Sequence, residues 1–341
     1  MKPAEPTLDQ WRDLYDAAAA FRDLAPWRWM SDGELFAVRH PETGETLYCC
    51  VLGTLGEVLG MLVYPGANGY RFYRRMQREE VQPTDPDVLL YLHTLNVEFH
   101  DRAALDARDR KVLKELGLSF HGPRAWPLFR SYRPLLYPWY LSEQEASCLT
   151  VALRQALDVC RRAEKNRKLF EAPDGKSILT RVESGADWSD VWTAPPSETE
   201  EPPRLPPVPE KDLELLRKAP GVRSATWEAD FTAAPAWIRP GPVVRPYRPV
   251  LCILADHDTG KVLAADLEEP DDPPRVFRDR FLKWVNLKSP RPRALRVRKP
   301  AAFAALEPVA AALGIEIRLQ PRLRAIEPAL ASLRQHMSRP S

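Results

Sequence analysis

The 341-residue sequence predicts an α/β protein of two domains, each with a mixed sheet and packed helices. The length suits two domains of ordinary size. Strand-like and helix-like segments alternate in both halves of the chain. Pro195–Pro209 contains seven prolines in fifteen residues, a composition typical of a stiff, extended linker.

Local patterns predict the elements of the first half in order. Thr7 and Gln10 form a capping-box pattern for a helix that ends before Pro26. Ser142 and Glu145 open a second helix in the same way. Between these helices we expect strands at 35–40, 47–52, 58–64 and 92–100, helices at 69–78 and 105–116, and an extended aromatic segment at 126–140.

The second half repeats this alternation after a weakly patterned stretch. We expect helices at 211–217, 276–286, 300–313 and 326–336, strands at 225–231, 294–298 and 315–319, and a hairpin of 250–255 with 261–267. Pro308 predicts a kink or two shorter helices. The predicted domains are 1–165 and 250–341, with a weakly patterned 166–249 between them; the second domain begins near 211 if the preceding elements belong to it.

Composition excludes several classes of protein. The net charge of +2 is too small for a whole-molecule attraction to nucleic acid or to a membrane. Five cysteines do not form a disulfide framework, so we expect reduced thiols in a cytoplasmic protein. The N-terminus has no apolar signal segment, and Glu57 interrupts the apolar stretch Tyr48–Gly66, which predicts two strands there. No membrane partner is expected.

The two halves resemble each other. Leu35–Leu52 aligns with Leu251–Leu267 around a shared Thr-Gly, and Val112–Phe120 aligns with Val309–Ile317. Both follow a β-β-(β)-α-β-α-β-α order, which either a duplication or a common α/β pattern explains. The order resembles the ribonuclease-H-like fold, which implies a degenerate duplication of that fold.

The ribonuclease-H-like resemblance implies acids on the first and fourth strands that bind two metal ions for phosphodiester cleavage. The strand at 294–298 supplies arginines instead, and His40 stands at the matching hairpin position of the first half. The resemblance therefore favours an inactive or repurposed copy over a nuclease.

A set of short motifs is distributed over both halves of the chain. They are Trp27–Met30, Pro41–Glu45, Tyr48–Cys50, Asn96–Phe99, Trp126–Pro127, Pro138–Trp139, Asp256 and Thr259–Gly260. With these motifs the chain resembles a bacterial family of two domains of unknown function. The resemblance implies architecture and no activity, cofactor or catalytic residue.

Three groups of residues are candidate sites. Asp256, Asp258 and Asp266 offer oxygen ligands for Mg²⁺, although Asp258-Thr259-Gly260 is also an ordinary hairpin turn. A basic set is a candidate for nucleic-acid or anion binding, with a solvated face or a dock for the acidic 266–272 stretch as the alternative. It consists of Arg296, Arg298, Lys299, Arg318, Arg322 and Arg324.

The third group is a candidate partner groove, because Trp, Tyr and Arg dominate binding hot spots. It consists of Trp126, Arg130, Tyr137 and Trp139, which could equally cover the first core. No nucleophile elbow, phosphate-binding loop or zinc-protease motif occurs, and we assign no catalytic residue.

The sequence therefore predicts a cytoplasmic bacterial binding, adaptor or regulatory protein without catalysis or cofactor, whose partner is another protein. The alternatives are a nucleic-acid-binding regulator that uses the basic C-terminal face and a Mg²⁺-dependent phosphodiesterase.

Overall fold

The computed structural model describes residues 3–80, 86–198, 205–218, 225–241, 244–287 and 291–337. The chain forms two compact units, each assembled from more than one chain segment. The first comprises Met1–Pro83, Tyr91–Pro134 and Pro138–Glu198, and the second comprises Thr84–Leu90, Leu135–Tyr137 and Thr199–Ser341. The first unit thus extends past residue 165, where the sequence predicts a boundary. Of the predicted linker, residues 199–204 lie outside the described residues.

The first unit contains a seven-stranded mixed sheet. Its strands are β1 (Phe36–Arg39), β2 (Thr46–Leu52), β3 (Gly60–Pro65), β4 (Thr94–His100), β5 (Trp126–Tyr132), β6 (Ile178–Ser184) and β7 (Asp187–Thr193). Their order is β5-β4-β3-β2-β1-β6-β7. β1 to β5 form an antiparallel meander, and β6 lies parallel to β1 and antiparallel to β7.

Four α-helices accompany this sheet: α1 (Leu8–Leu24), α2 (Gly66–Gln77), α3 (Ala107–Leu116) and α4 (Glu143–Lys165). Both predicted capping boxes are confirmed, at Thr7 for α1 and at Ser142 for α4. The buried side of the sheet, including Cys49, Val63 and Val97, forms one core with the apolar stripes of α1 and α4. The apolar residues that alternate along the strands and those at helical spacing on α1 and α4 therefore pack into the same core, as the sequence pattern predicts.

The second unit contains a five-stranded sheet in the order β10-β9-β8-β11-β12. Its elements are α5 (Glu210–Lys218), β8 (Ala225–Ala233), β9 (Val250–Asp256), β10 (Val262–Glu268), α6 (Pro273–Leu287), β11 (Pro292–Val297), α7 (Pro300–Leu313), β12 (Glu316–Leu319) and α8 (Ile326–Met337). β8, β9 and β10 are antiparallel, whereas β11 and β12 run parallel to β8. The predicted α/β class with two mixed sheets is confirmed.

Two details differ from the sequence-based expectation. The weakly patterned stretch after α4 contains the β6–β7 hairpin. α7 continues through Pro308 as a single helix, so of the two alternatives predicted there the pair of shorter helices is wrong and the kink stays a prediction. The β1–β2 and β9–β10 hairpins, which align between the two halves of the sequence, also have different neighbours in their sheets. β1 pairs with a parallel strand on one side, whereas β9 has antiparallel neighbours on both sides. Duplication therefore stays a prediction.

None of the helices in the described part of the chain combines the length and the apolar character needed to cross a bilayer.

Candidate functional site

The central strand of the second sheet carries two fully buried carboxylates. Along β8, Trp227, Ala229 and Phe231 point to one face of the sheet, where Phe231 packs against Phe277 of α6 with ring centroids 5.2 Å apart. Glu228 and Asp230 alternate with them and are 0% and 1% exposed. Buried charges are costly unless they are paired, so the partners of these two acids determine what the face can do.

Basic residues of the neighbouring strand face these acids. In the parallel ladder between β8 and β11, Arg296 lies opposite Glu228. Arg298 lies two residues further along the chain and therefore on the same side of the sheet as Arg296. Lys299 follows directly and is the N-cap residue of α7. The strand pairing thus brings three cations to a face with two buried carboxylates.

The acid–lysine cluster consists of Asp87, Asp230, Thr232, Arg298 and Lys299. The Lys299 ammonium lies 2.8 Å and 2.9 Å from the two carboxylate oxygens of Asp230 and 3.1 Å from Oδ2 of Asp87. Nη2 of Arg298 lies 2.5 Å from Oδ2 of Asp87 and 3.2 Å from Oδ2 of Asp230. The Thr232 hydroxyl donates to Oδ1 of Asp87 at 2.7 Å. All five belong to the second unit, to which the chain contributes Asp87 from the segment before β4.

The cluster keeps Asp87 ionised. Burial by itself would raise the pKa of this carboxyl, but the adjacent Lys299 and Arg298 and the hydrogen bond from Thr232 outweigh it, and the pKa lies below its ordinary value. A carboxylate held in this way is a structural counter-charge for two cations. It does not act as a proton donor near neutral pH.

The two carboxylates of the cluster do not fit a divalent metal ion. A bridging cation would have to sit between Asp87 and Asp230, where the Lys299 ammonium already contacts both acids. Arg298 also contacts both of them. Among the described residues, no group of three or more His, Cys, Asp or Glu side chains is arranged to hold a metal.

The second buried acid, Glu228, binds a histidine and a helix terminus. Its Oε2 accepts the backbone N–H groups of Ala325 at 2.9 Å and Ile326 at 3.1 Å, at the start of α8. Its Oε1 contacts Nδ1 of His257, and Nη1 of Arg296 contacts Nε2 of the same ring. A guanidinium can only donate, so Nε2 of His257 accepts from Arg296 and its Nδ1–H donates a hydrogen bond to Glu228. Glu228 therefore fixes the His257 ring and the first turn of α8 at once.

The structure does not bring the three predicted metal ligands together. Oδ1 of Asp256 accepts the backbone N–H and the hydroxyl of Thr259, both at 2.8 Å, within the turn after β9. Asp258 pairs with Arg324 at 3.0 Å, and Asp266 accepts the indole N–H of Trp284 at 2.7 Å. Asp266 lies opposite Cys252, four residues along the ladder from Asp256 and so about 13 Å away.

The predicted basic set is largely neutralised within the unit. Arg296, Arg298 and Lys299 belong to the contacts described above, while Arg318 pairs with Glu316 and Arg324 with Asp258. Arg322 is exposed, with no ion pair among the described residues. Because five of the six cations contact acids or His257, the face offers little unpaired positive charge for a phosphate backbone.

The predicted partner groove divides between the two units. In the first unit, Trp126 packs edge-on against Phe120, Arg130 pairs with Asp109 at 2.8 Å, and Trp139 packs against Tyr140. Tyr137 belongs to the second unit, where it packs against Trp237. Trp126 and Arg130 are thus engaged within the first unit, and Tyr137 has a separate aromatic neighbour.

The three acids at the centre of the site, Asp87, Glu228 and Asp230, are not among the residues that the sequence marks as candidates. Glu228 and Asp230 were visible as polar positions that alternate with Trp227, Ala229 and Phe231 inside a predicted strand. Charged residues at two alternate positions of a central strand indicate a polar face on which they have partners, because charged side chains are seldom buried without a partner. Nothing local marks Asp87, which precedes Thr232 by 145 residues.

Comparisons with known proteins find families without a described activity. A model of a domain of unknown function (DUF7309) matches residues 11–181, and a second one (DUF6930) matches residues 212–334. No curated protein matches the chain. A solved structure of the HTLV-2 integrase catalytic core domain in complex with magnesium aligns at 14% identity, with a TM-score of 0.25, over 33% of this chain and 68% of that one.

Proposed function

The chain belongs to the DUF7309 family of domains of unknown function, and we propose that it is a non-catalytic binding or adaptor protein. The observation that carries the proposal is the position of Lys299 between Asp87 and Asp230. The Lys299 ammonium, a cation of the protein itself, thus contacts both of these neighbouring carboxylates. The face therefore serves the stability of the unit, and the activity of the protein lies in binding.

This arrangement argues against a Mg²⁺-dependent phosphodiesterase. Phosphodiester cleavage by two metal ions needs carboxylates that are free to coordinate them. Here the carboxylates of Asp230 and Asp87 accept from Lys299 and Arg298, and that of Glu228 accepts from His257 and two backbone N–H groups. The proposal invokes no cofactor and no catalytic residue.

The proposal places the protein in the cytoplasm with a protein partner. The five cysteines are free and buried, which supports a reducing compartment. The internal pairing of the basic face favours a protein over a nucleic acid as the partner, since nucleic-acid affinity depends on cations that can replace counterions on phosphates. Nucleic-acid binding through that face is the alternative, and binding of the full chain to an oligonucleotide that weakens steeply with salt would support it.

Metal titration of the full chain tests the proposal. We expect Mn²⁺ and Mg²⁺ at millimolar concentration to leave the melting temperature unchanged, and bis(p-nitrophenyl) phosphate and single-stranded RNA to remain uncleaved. A metal that binds the native state would raise the melting temperature by mass action. Cleavage that requires the metal and disappears in Asp230→Asn would overturn the proposal.

Lys299→Met sharpens the same test. Removing the ammonium takes away one of the two cations that contact both Asp87 and Asp230 and leaves the partly exposed Arg298 as the other. One negative charge of the cluster is then unbalanced, so we expect this variant, unlike the wild type, to gain stability from Mn²⁺. Lys261→Met, an exposed lysine in the turn before β10, is the matched control and should not respond. If the wild type and Lys299→Met respond equally to Mn²⁺, then Lys299 does not block the site as proposed.

A further inference from the structure

Three short extended segments of the second unit form a small exposed patch. Tyr247 makes antiparallel bridges to Leu136 on one side and to Ile238 on the other. Tyr137 donates its N–H to the carbonyl of Pro246 at 2.9 Å, and Arg248 donates to that of Leu135 at 2.7 Å. The patch thus has the strand order 135–137, 246–248, 237–239, and it gives side chains from distant parts of the sequence a common surface.

The bridge register determines which side chains share a face. With Ile238 opposite Tyr247, Trp237 lies opposite Arg248 and on the other face from Ile238. The Arg248 guanidinium lies over the Trp237 ring, 4.8 Å from its centroid. Tyr137 packs edge-on against Trp237, with ring centroids 5.1 Å apart. Tyr137 and Arg239 lie on the same face as Trp237 and Arg248, and Ile238 lies on the opposite face; we call these five residues of the patch the Trp237 surface.

This surface is positively charged. The sequence contains no Asp or Glu between Asp230 and Asp256, whereas Arg239, Arg245 and Arg248 lie in that interval. Among the described residues, neither Arg239 nor Arg248 forms an ion pair, and Nε of Arg248 is buried without a hydrogen-bond partner. Burial lowers the pKa of Arg248 from its ordinary value, and no carboxylate opposes this effect. An anionic ligand would therefore supply the counter-charge that Arg239 and Arg248 lack among the described residues.

The surface is also apolar and exposed. Tyr137, on the face of Trp237, and Ile238, on the opposite face, are each 40% exposed. Large apolar side chains exposed next to unpaired arginines are typical of binding surfaces, because Trp, Tyr and Arg supply most of the energy of such contacts.

The outer edge of the patch has open backbone groups. Ile238 and Tyr247 exchange both of their backbone hydrogen bonds, at 2.8 Å and 3.0 Å. In an antiparallel ladder the residues that flank such a pair direct their N–H and C=O groups outward. Trp237 and Arg239 are those flanking residues, so their backbone groups can pair with an added strand.

We propose that the Trp237 surface binds an extended, acidic peptide segment of a partner protein by strand addition along residues 237–239. Main-chain hydrogen bonds hold the segment. Alternate residues of the segment place carboxylates near Arg239 and Arg248 on one face, and the residues between them place apolar side chains beside Ile238 on the other face. The inference rests on the proposed binding function and gives it a site and a class of partner.

The ring geometry favours a peptide over single-stranded nucleic acid. Nucleic acid binds to aromatic platforms on which successive bases stack face to face. Here Arg248 covers one face of the Trp237 ring, and Tyr137 stands at 83° to it. The two rings offer no parallel platform for neighbouring bases, whereas open backbone groups match a peptide.

Selection from a phage-displayed library of random twelve-residue peptides on the full chain tests the inference. We expect enrichment of peptides that combine Asp or Glu with apolar residues. The tightest peptide is then labelled with fluorescein, and its binding is measured by polarisation beside a labelled twelve-residue oligothymidylate. Arg239→Glu reverses an exposed charge and should weaken peptide binding about tenfold or more, since each factor of ten corresponds to 1.4 kcal/mol.

Arg322→Glu is the matched control, because Arg322 is an exposed arginine of the same unit outside the Trp237 surface. It should bind the peptide as the wild type does. Enrichment of neutral or basic peptides, no enrichment at all, or equal loss in both variants would overturn the inference. Oligothymidylate binding that Arg239→Glu abolishes, without peptide binding, would overturn it in favour of nucleic acid. Each of these results leaves the metal titration, and so the non-catalytic assignment, to be judged separately.

Discussion

The Lys299 ammonium lies 2.8 Å from Oδ1 of Asp230, and both side chains are almost completely buried. Replacement of a buried ion pair by apolar residues is often tolerated, whereas removal of one partner leaves an uncompensated charge. The net contribution of the pair to stability can therefore be small, although the loss of either partner alone destabilises the second unit.

A double-mutant cycle on this pair should show strong coupling. We expect Lys299→Met or Asp230→Asn alone to lower the free energy of unfolding by about 3–5 kcal/mol, because each change leaves the buried cluster of two acids and two cations with one uncompensated charge. The double variant should cost less than the sum, with a coupling energy of about 1 kcal/mol or more. Lys111→Met, which removes an exposed partner of Glu115 at 3.8 Å, should cost less than about 0.5 kcal/mol. Additive costs in urea unfolding would contradict the assignment.

Glu228→Gln should loosen the start of α8. An amide can place its single oxygen toward either the helix N–H groups or His257, so one buried group loses its partner at a cost of about 1–3 kcal/mol. Hydrogen–deuterium exchange should accelerate at Ala325 and Ile326, whose N–H groups now bond to Glu228. Glu316→Gln, at an exposed position on β12, is the control and should leave α8 exchange unchanged. Unaltered exchange in Glu228→Gln would show that the carboxylate does not hold the helix.

Local signals in the sequence were sufficient for most elements of the fold. The capping boxes at Thr7 and Ser142 and the helix-ending Gly117, with φ of 67°, mark helix boundaries by chemistry that acts within a few residues. The β6–β7 hairpin escaped prediction because β7 is an exposed edge strand whose residues are mostly polar. Its short-range pattern lacks the alternation that a half-buried strand would show.

The site could be predicted only in part, for a physical reason. Arg298 and Lys299 were recognised as charged, but their role depends on acids that the fold brings to them. Asp230 precedes Lys299 by 69 residues and Asp87 precedes Arg298 by 211. Spacing along the sequence carries no information on such pairings. Without the strand register, Arg298 and Lys299 therefore suggest a free basic face.

Gly60→Ala should disrupt the pairing of β3 with β4. A methyl group at residue 60 would overlap the carbonyl oxygen of Val97 and crowd the backbone of Glu98, and backbone atoms in a sheet cannot move aside cheaply. We expect a loss of about 3 kcal/mol in the free energy of unfolding. Gly33→Ala, where the nearest atom would lie 3.7 Å away, should change stability little. Equal stability of the two variants would refute this close approach.

Glu145 should make the first unit sensitive to acid. Its carboxylate accepts hydrogen bonds from the Ser142 N–H at 2.8 Å, the Ser131 hydroxyl at 2.7 Å and the Arg133 guanidinium at 2.9 Å. Burial alone would raise the pKa of Glu145, but these donors outweigh it and the pKa lies below its ordinary value. A lowered pKa stabilises the folded state above the pKa of the unfolded chain, and this stabilisation is lost as the pH falls through the lower, folded value.

Glu145→Gln should therefore unfold at a lower urea concentration than the wild type at pH 7, with a loss of about 1–3 kcal/mol. Below pH of about 4 the difference between the two proteins should shrink, since the wild-type carboxyl becomes protonated as well. Glu164→Gln, at an exposed position on the same helix, should follow the wild type throughout. A deficit of Glu145→Gln that stays constant from pH 7 to pH 3 would mean that the charge of Glu145 does not contribute, and that only its shape and packing matter.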